Sequence, residues 1–247
     1  MPFDATPNTR AHTDCLLCPV TSCMARRNGG DHAQAWSEVL APRTAVMPGA
    51  SPLFNTGDRQ QAVYTVRGGC IKTYTVDADG NERIRGFFLP GDLIGLDGLG
   101  CGVHLSNAAA VTASQVCVAP VGGLRTLMQS QPALAQRVLE QTSRELAHAL
   151  AMSGDFSAEQ RLAAFLLNMR DRLGAGGTLR LPMGQRDIGS YLRLATETVC
   201  RTLKSFERRG WLSLGDRSIR LLNEPKLGEL AEAVGIVSGK TELARAA

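Results

Sequence analysis

Residues 185–208 read QRDIGSYLRLATETVCRTLKSFER, and this stretch decides the class of fold. Its first part, Gln185–Leu192, has apolar residues at a spacing of four and is predicted to be a short helix. Two residues, 193–194, then lead into a second predicted helix, Ala195–Arg208. Two short helices joined by so tight a turn are typical of a helix-turn-helix.

The second predicted helix has one apolar side and one polar side. Val199, Leu203 and Phe206 recur at helical spacing and are expected to pack inward. The residues expected to face outward are Thr196, Glu197, Cys200, Arg201 and Lys204. Arg201 can donate two hydrogen bonds to guanine, and Glu197 can accept one from cytosine. A Glu and an Arg four residues apart are also an ordinary helix salt bridge, so the surrounding architecture has to support this interpretation.

A β-hairpin is predicted directly after these helices. Residues 210–214 and 218–222 flank a Gly-Asp turn, which places a wing beside the helix-turn-helix. Between Ala158 and Asn223 there are twelve Arg or Lys against six Asp or Glu, a net charge of +6. The whole chain has a net charge of +4, so the rest of it has a net charge of −2. Such a basic region suits a polyanion partner. The residues expected to contact phosphates are Arg186, Lys204, Arg208, Arg209 and Arg217.

The middle of the chain, Arg43–Pro120, is predicted to be rich in β-strand. Val63–Val66 forms one short strand, and Cys70–Val76 and Arg83–Leu89 flank a tight glycine turn as a hairpin. Another strand is expected at Ala108–Ala119. Short strands regularly separated by glycine turns indicate a jelly roll or barrel.

A change to helix is predicted at Pro132, which suits a first helical turn. The apolar residues that recur behind it are Leu134, Val138, Leu139, Leu146 and Leu150. They predict one apolar face, which either forms a helix-to-helix seam or packs on its own β-domain. Ser157 and Gln160 form a capping box for a further helix, Ala158–Leu173.

Three of the seven cysteines, Cys15, Cys18 and Cys23, lie within nine residues. Thiolates so close together bind zinc or the iron of an iron-sulfur cluster, which usually takes four protein ligands, so one ligand must come from elsewhere. The polar start, Met1–His12, has no signal peptide, and no apolar run is long enough to span a membrane. These features predict a cytoplasmic protein whose clustered thiols are better explained by metal or redox chemistry than by disulfides.

Taken together, these motifs resemble the Crp/Fnr superfamily of bacterial transcription regulators, and specifically its oxygen-sensing Fnr branch. The motifs are Leu53–Asp58, Gly69–Tyr74, Gly86–Gly95, Ala158–Phe165, Arg186–Leu192 and Thr196–Arg201. The resemblance implies an α+β protein with a β-roll (jelly-roll, cyclic-nucleotide-binding-like) sensor domain, a long dimerisation helix and a winged helix-turn-helix domain. The implied segments are a cysteine-bearing arm (1–35), the β-roll (36–122), the dimerisation helix (123–156), the DNA-binding domain (157–232) and a tail (233–247).

The resemblance also implies a function. Fnr-type regulators are homodimers that bind pseudo-palindromic promoter DNA, contact RNA polymerase and hold a [4Fe-4S] cluster with three N-terminal cysteines and one from the β-roll. Cys117 stands at the β-roll position, which makes it the implied fourth ligand beside Cys15, Cys18 and Cys23. Loss or conversion of the cluster by oxygen would then weaken the dimer and its binding to DNA.

The resemblance assigns DNA contacts to Glu197 and Arg201, with Cys200 where the branch usually has serine. The alternative use of the four cysteines is a zinc site or a thiol-disulfide switch in the same kind of regulator. Cyclic nucleotide binding is not expected, because Gly91–Pro120 contains no Arg or Lys for the phosphate. Nor is an enzyme expected, since the chain shows no phosphate loop and no nucleophile paired with a base.

Overall fold

The computed structural model describes residues 41–50, 52–151, 154–174, 177–216 and 218–234. The strands are β1 Ala41–Val46, β2 Ala62–Gly68, β3 Ile71–Val76, β4 Glu82–Phe88, β5 Leu93–Ile94, β6 Asn107–Ala110, β7 Ser114–Pro120, β8 Thr178–Leu179, β9 Leu212–Gly215 and β10 Ser218–Leu221. The helices are α1 Val121–Ser130, α2 Pro132–Ala151, α3 Ala158–Leu173, α4 Gln185–Leu192, α5 Thr196–Arg208 and α6 Glu224–Glu232.

The chain divides into two compact units. The first comprises the chain up to Thr73 together with Phe87–Thr142, and the second comprises Tyr74–Gly86 together with the chain from Ser143 onward. The cysteine arm, 1–35, lies outside the described residues. Of the tail, 233–247, only residues 233 and 234 are described.

Antiparallel strands build the first unit. Its main sheet has the order β1-β7-β2-β5. A further sheet of the chain has the order β4-β3-β6, and its residues within Tyr74–Gly86 are assigned to the second unit. Neighbouring residues of a strand point to opposite faces of the sheet. Apolar residues occupy both sets of positions in the main sheet, so each of its faces packs against a core. One core cluster is Val46, Phe54, Val66, Ile71, Phe88, Ile94, Ala108, Ala110 and Val116. The other, which includes residues of α1 and α2, is Val63, Leu93, Leu96, Leu124, Leu127, Leu134 and Val138.

These strands confirm the predicted β-roll, with one correction. The single strand expected at Ala108–Ala119 is two strands, β6 and β7, which belong to different sheets. The chain turns between them around one carbonyl group, because the amides of Val111 and Thr112 both donate to the carbonyl oxygen of Cys70, at 2.8 and 3.3 Å. The sequence gives little sign of this turn, because it has no glycine or proline there.

Helix α2 begins at Pro132, as predicted, and α1 precedes it within the segment expected to be one dimerisation helix. Its apolar residues do not share one face, and this expectation was wrong. Leu134 and Val138 are buried on the inner side, whereas the other three leucines are exposed. Those three are Leu139, Leu146 and Leu150, with 67%, 60% and 64% of their surface accessible. They are spaced at seven and four residues, which places them in a separate outward stripe.

The second unit contains α3 to α6 and a three-stranded sheet of order β8-β10-β9. The capping box of α3 is confirmed: Ser157 Oγ accepts from the Gln160 amide at 3.2 Å, and Gln160 Oε1 accepts from the Ser157 amide at 2.9 Å. Strand β8 and helix α6 were not predicted, since a two-residue strand is too short to show a period. The segment Tyr74–Gly86, which holds the turn between β3 and β4, also belongs to this unit. It is hydrogen-bonded to α4, where Ser190 Oγ accepts from the Ile84 amide at 3.0 Å.

Candidate functional site

The helix-turn-helix lies where the sequence predicts it. Helix α4 occupies Gln185–Leu192, and α5 begins at Thr196, one residue later than expected. Helix α5 buries Val199, Thr202, Leu203 and Phe206 along one side. This inward row fixes the direction in which the opposite side of the helix points.

A close approach between α4 and the turn sets the angle between the two helices. A Cβ placed on Gly189 would lie 2.8 Å from the carbonyl oxygen of Leu194, so no side chain fits there. The Leu194 amide donates to the Gly189 carbonyl at 2.9 Å. Arg193, between them, has φ 57°, the left-handed conformation that ends many helices. The turn therefore depends on glycine at position 189.

The outward side of α5 carries the predicted DNA-contacting residues. Glu197, Arg201 and Lys204 are exposed, and Cys200 is partly buried. Neither Glu197 nor Arg201 forms an ion pair with any described residue, although a salt bridge four residues apart was the ordinary alternative. Both side chains are thus available to a ligand at this surface.

Cys200 has a partner that the sequence did not suggest. Its thiol lies 2.6 Å from Gln185 Oε1 and donates to it. Gln185 is the first residue of α4, so this bond links the two helices at the surface that carries Arg201. Gln185 is exposed, and the sequence pattern around it does not indicate a contact with Cys200.

Two of the expected phosphate contacts need comment. Arg209 forms a two-bond ion pair with Glu159, at 2.9 and 3.0 Å, and lies 5.0 Å from the centre of the Trp211 ring. It therefore joins the end of α5 to α3 instead of standing free for a phosphate. Arg217 lies outside the described residues. Arg186, Lys204 and Arg208 remain exposed cations.

The wing is the hairpin of β9 and β10, with Ser218 paired to Gly215 and Leu221 to Leu212. Helix α5 holds it in place, since Glu207 accepts a hydrogen bond from the Leu214 amide at 2.9 Å. The rings of Phe206 and Trp211 pack with their centres 5.5 Å apart. The helix-turn-helix and its wing therefore form one connected surface.

Arg161 of α3 stabilises this unit from beneath. Its guanidinium donates to three carbonyl oxygens, those of Phe156, Gly154 and Leu192, at 3.0 to 3.1 Å. The last of these belongs to the final turn of α4, where carbonyls lack partners within the helix. The sequence shows only an arginine near the start of an amphipathic helix, so this role was not foreseen.

His148, near the end of α2, stacks on Tyr191 of α4 with ring centres 4.7 Å apart and an angle of 9° between the planes. Burial lowers the pKa of His148 from 6.5 to about 4, and the positive charge of Arg172 adds to this. Burial also raises the pKa of Tyr191. Both rings are therefore neutral near pH 7, and the stack connects α2 to the helix-turn-helix within the second unit.

Cys117, the described member of the proposed metal ligands, lies on β7 with only 3% of its surface accessible. It is not part of a disulfide. Cys15, Cys18 and Cys23 lie outside the described residues. Across the ranges from 41 to 234 that the structure describes, no three His, Cys, Asp or Glu side chains come together as a metal site.

Of the other cysteines, Cys70 is fully buried. Cys101 is exposed, with its thiol 3.3 Å from the Val103 carbonyl. No helix in the described part of the chain is both long enough and apolar enough to cross a membrane.

Comparison with known proteins agrees with this architecture. Residues 160–230 match the Crp-like helix-turn-helix domain, and residues 46–131 match the cyclic nucleotide-binding domain. The transcriptional regulatory protein btr of Bordetella pertussis is 35% identical over 231 residues, which cover 91% of this chain and 94% of that protein. The fumarate and nitrate reduction regulatory protein of Escherichia coli K12 is 33% identical over 224 residues, 88% of this chain and 90% of that one.

Among solved structures, FixK2 from Bradyrhizobium japonicum matches with a TM-score of 0.69 and 32% identity, covering 77% of this chain and 96% of FixK2. A β-roll, an intervening long helix and a winged helix-turn-helix with an exposed polar recognition face define a DNA-binding transcription regulator. The chain belongs to the Crp/Fnr family of these regulators.

Proposed function

We propose that this protein is an oxygen-responsive, homodimeric regulator of the cytoplasm that binds pseudo-palindromic promoter DNA in the absence of oxygen and contacts RNA polymerase there. A [4Fe-4S] cluster held by Cys15, Cys18, Cys23 and Cys117 is the proposed sensor. The observation that carries this proposal is Cys117, a buried thiol outside any disulfide, in a chain 33% identical to the fumarate and nitrate reduction regulatory protein of Escherichia coli K12.

The chemistry of the donors fits such a cluster. Four thiolates are the usual ligand set of a [4Fe-4S] cluster, and burial of Cys117 keeps its iron away from bulk water. When bound, the cluster supplies iron and sulfide that oxygen can attack. Cys15, Cys18, Cys23 and Cys117 would hold this cluster, which would link the N-terminal arm to β7.

Binding to DNA rests on the exposed side of α5. Arg201 is expected to donate to a guanine edge, and Glu197 to accept from a cytosine or to orient Arg201. Cys200, tied to Gln185, occupies the position between them on the same surface. Arg186, Lys204 and Arg208 would position the duplex through its phosphates.

A second copy of the chain is the proposed partner of the outward leucine stripe of α2. Leu139, Leu146 and Leu150 expose most of their surface and are spaced as in a helix-to-helix seam. Two recognition helices related by such a seam would enter successive major grooves about 34 Å apart. This spacing is what a pseudo-palindromic site requires.

The test is anaerobic purification followed by absorption spectroscopy and iron and sulfide analysis. We expect four iron atoms for each chain and DNA binding that is lost in air. Cys117→Ala should abolish the cluster as fully as Cys18→Ala does, because three ligands leave one iron open. Cys101→Ala is the matched control, since its exposed thiol is not a proposed ligand, and it should keep the cluster. A colourless, iron-free protein that binds DNA equally well in air would refute the proposal.

The alternative is a zinc site or a thiol-disulfide switch formed by the same four cysteines. Zinc is redox-silent, so a zinc protein would bind DNA equally with and without oxygen. Metal analysis of the anaerobic protein separates these two cases. A thiol switch would leave the protein free of metal and would respond to a thiol reductant alone.

A further inference from the structure

Gln141 of α2 makes the hydrogen bonds that a further strand would make with the edge strand β5. Its Nε2 donates to the Leu93 carbonyl at 2.6 Å, and its Oε1 accepts from the Leu93 amide at 2.9 Å. Leu93 belongs to β5, which ends the strand order β1-β7-β2-β5. One carboxamide therefore satisfies both backbone groups of an edge residue. Only 8% of Gln141 and 5% of Leu93 is accessible, so water does not replace this partner.

The edge residue lies in the same row of the sheet as Cys117. Thr65 of β2 is paired with Cys117 of β7 on one side and with Leu93 of β5 on the other. Side chains in such a row stand on one face of the sheet, about 5 Å apart. All three are buried. Cys117, Thr65 and Leu93 are thus register neighbours in one buried row, in which a displacement of one residue can act on the next.

This row faces the helices. The next residue along each strand, Val116, Val66 and Ile94 respectively, belongs to the core cluster of the opposite face. Leu93 packs in the cluster that includes Leu134 and Val138 of α2. The face that carries Cys117 is therefore the face that contacts the first half of α2.

On α2 itself, Gln141 continues the inner row of Leu134 and Val138 at a spacing of three and four residues. The outward stripe begins at Leu139, two residues before Gln141 and on another side of the helix. Rotation or sliding of α2 against the sheet would break both hydrogen bonds of Gln141 at once and leave buried polar groups unpaired. The helix is consequently held in one discrete register at this point.

We infer that Gln141 is a positioning residue that locks α2 to the Cys117 row, so that a change at Cys117 alters the presentation of the outward leucine stripe to a second copy of the chain. The inference rests on the proposed function for the role of Cys117 as a ligand. It adds the route by which that ligand acts on the dimer, and it assigns this route to a residue outside both the metal site and the DNA surface.

A double-mutant cycle on the full chain without metal tests the link directly. Cys117→Val changes the row, and the dimer dissociation constant is measured by sedimentation in the wild-type and Gln141→Leu backgrounds. We expect Cys117→Val to change this constant by about threefold or more when Gln141 is present, and by much less when it is absent. Val138→Ala, one turn earlier on the inner row, is the control: it loses packing but no hydrogen bond, and should leave the effect of Cys117→Val intact.

Hydrogen exchange at the Leu93 amide provides a second readout, which a merely structural role of Gln141 would not move. Cys117→Val should change the exchange rate of this amide in the wild-type background, although residue 117 lies two strands away. If Gln141→Leu does not fold, Gln141→Met removes the same hydrogen bonds with a more adaptable side chain.

An equal effect of Cys117→Val on the dimer dissociation constant in both backgrounds overturns the inference, as does no effect in the wild-type background. Iron analysis of the anaerobic protein decides the proposed function separately. A chain with a cluster and an uncoupled Gln141 refutes only the positioning role. A chain without iron that retains the coupling refutes only the cluster.

Discussion

The stack of His148 on Tyr191 predicts a specific dependence of stability on pH. Burial lowers the pKa of His148 from 6.5 to about 4, so the unfolded chain takes up a proton at a pH where the folded chain does not. Stability linked to this group is present above pH 6.5 and is lost as pH falls toward 4. For a pKa difference of this size, the free energy of unfolding should drop by about 2 kcal/mol between pH 8 and pH 5, and by about 3 kcal/mol in total.

Denaturant unfolding at a series of pH values measures this loss. The fluorescence of Trp211, which packs on Phe206, reports on the winged helix once Trp36 is replaced by Phe. Other groups also titrate over this range, so the comparison is with His148→Phe, which keeps an aromatic ring on Tyr191 but has no proton to bind. The difference between the two slopes isolates the contribution of His148.

Parallel slopes for the two proteins would refute the argument, as would a His148 pKa near 6.5 by nuclear magnetic resonance. The direction of the shift in the His148 pKa is as important to this test as its size. A His148 that instead gained a carboxylate partner would have a raised pKa and would stabilise the fold below pH 6.5. The neighbour that affects it, Arg172, is positive, and therefore works in the same direction as burial.

Three further predictions concern the DNA-binding unit. Gly189→Ala places a Cβ 2.8 Å from the Leu194 carbonyl and should cost about 1–3 kcal/mol in thermal unfolding, whereas Gly228→Ala, with open space around it in α6, should be neutral or stabilising. Ser157→Ala should lose about 1 kcal/mol by the same measurement, since it removes the cap of α3. Arg201→Ala should lose about 1–3 kcal/mol of discrimination at one base pair, measured by binding to a set of single-substitution sites; uniform weakening across all sites would contradict base readout.

Helices α3, α4 and α5 and the wing of the DNA-binding unit could be predicted closely, because each carries a local signal, whereas β8 and α6 were not predicted. The capping box marks the start of α3, and the apolar periodicity of α5 fixes its inner side and with it the exposure of Glu197 and Arg201. The partner of Cys200 could not be predicted, since Gln185 lies fifteen residues away in a different helix. Arg209 was predicted to contact phosphate because of its charge, but it forms an ion pair with Glu159, fifty residues earlier.

The same division holds in the β-roll. Alternating short strands and glycine turns were enough to indicate the sheets, but not that the chain turns around the Cys70 carbonyl between β6 and β7. Helix α2 was found from its periodicity, while its two apolar sides were merged into one, because the spacing of leucines does not say which of them meets the sheet.

The sequence by itself determined the type of most elements and the side of α5 that faces outward, since these follow from periodicities of two and 3.6 residues within single elements. The family resemblance came from its motifs. Only the tertiary structure decided that Cys117, Thr65 and Leu93 stand in one row and that Gln141 closes its edge. Their separations along the chain are long and irregular, and the register between strands comes from packing that no local pattern encodes.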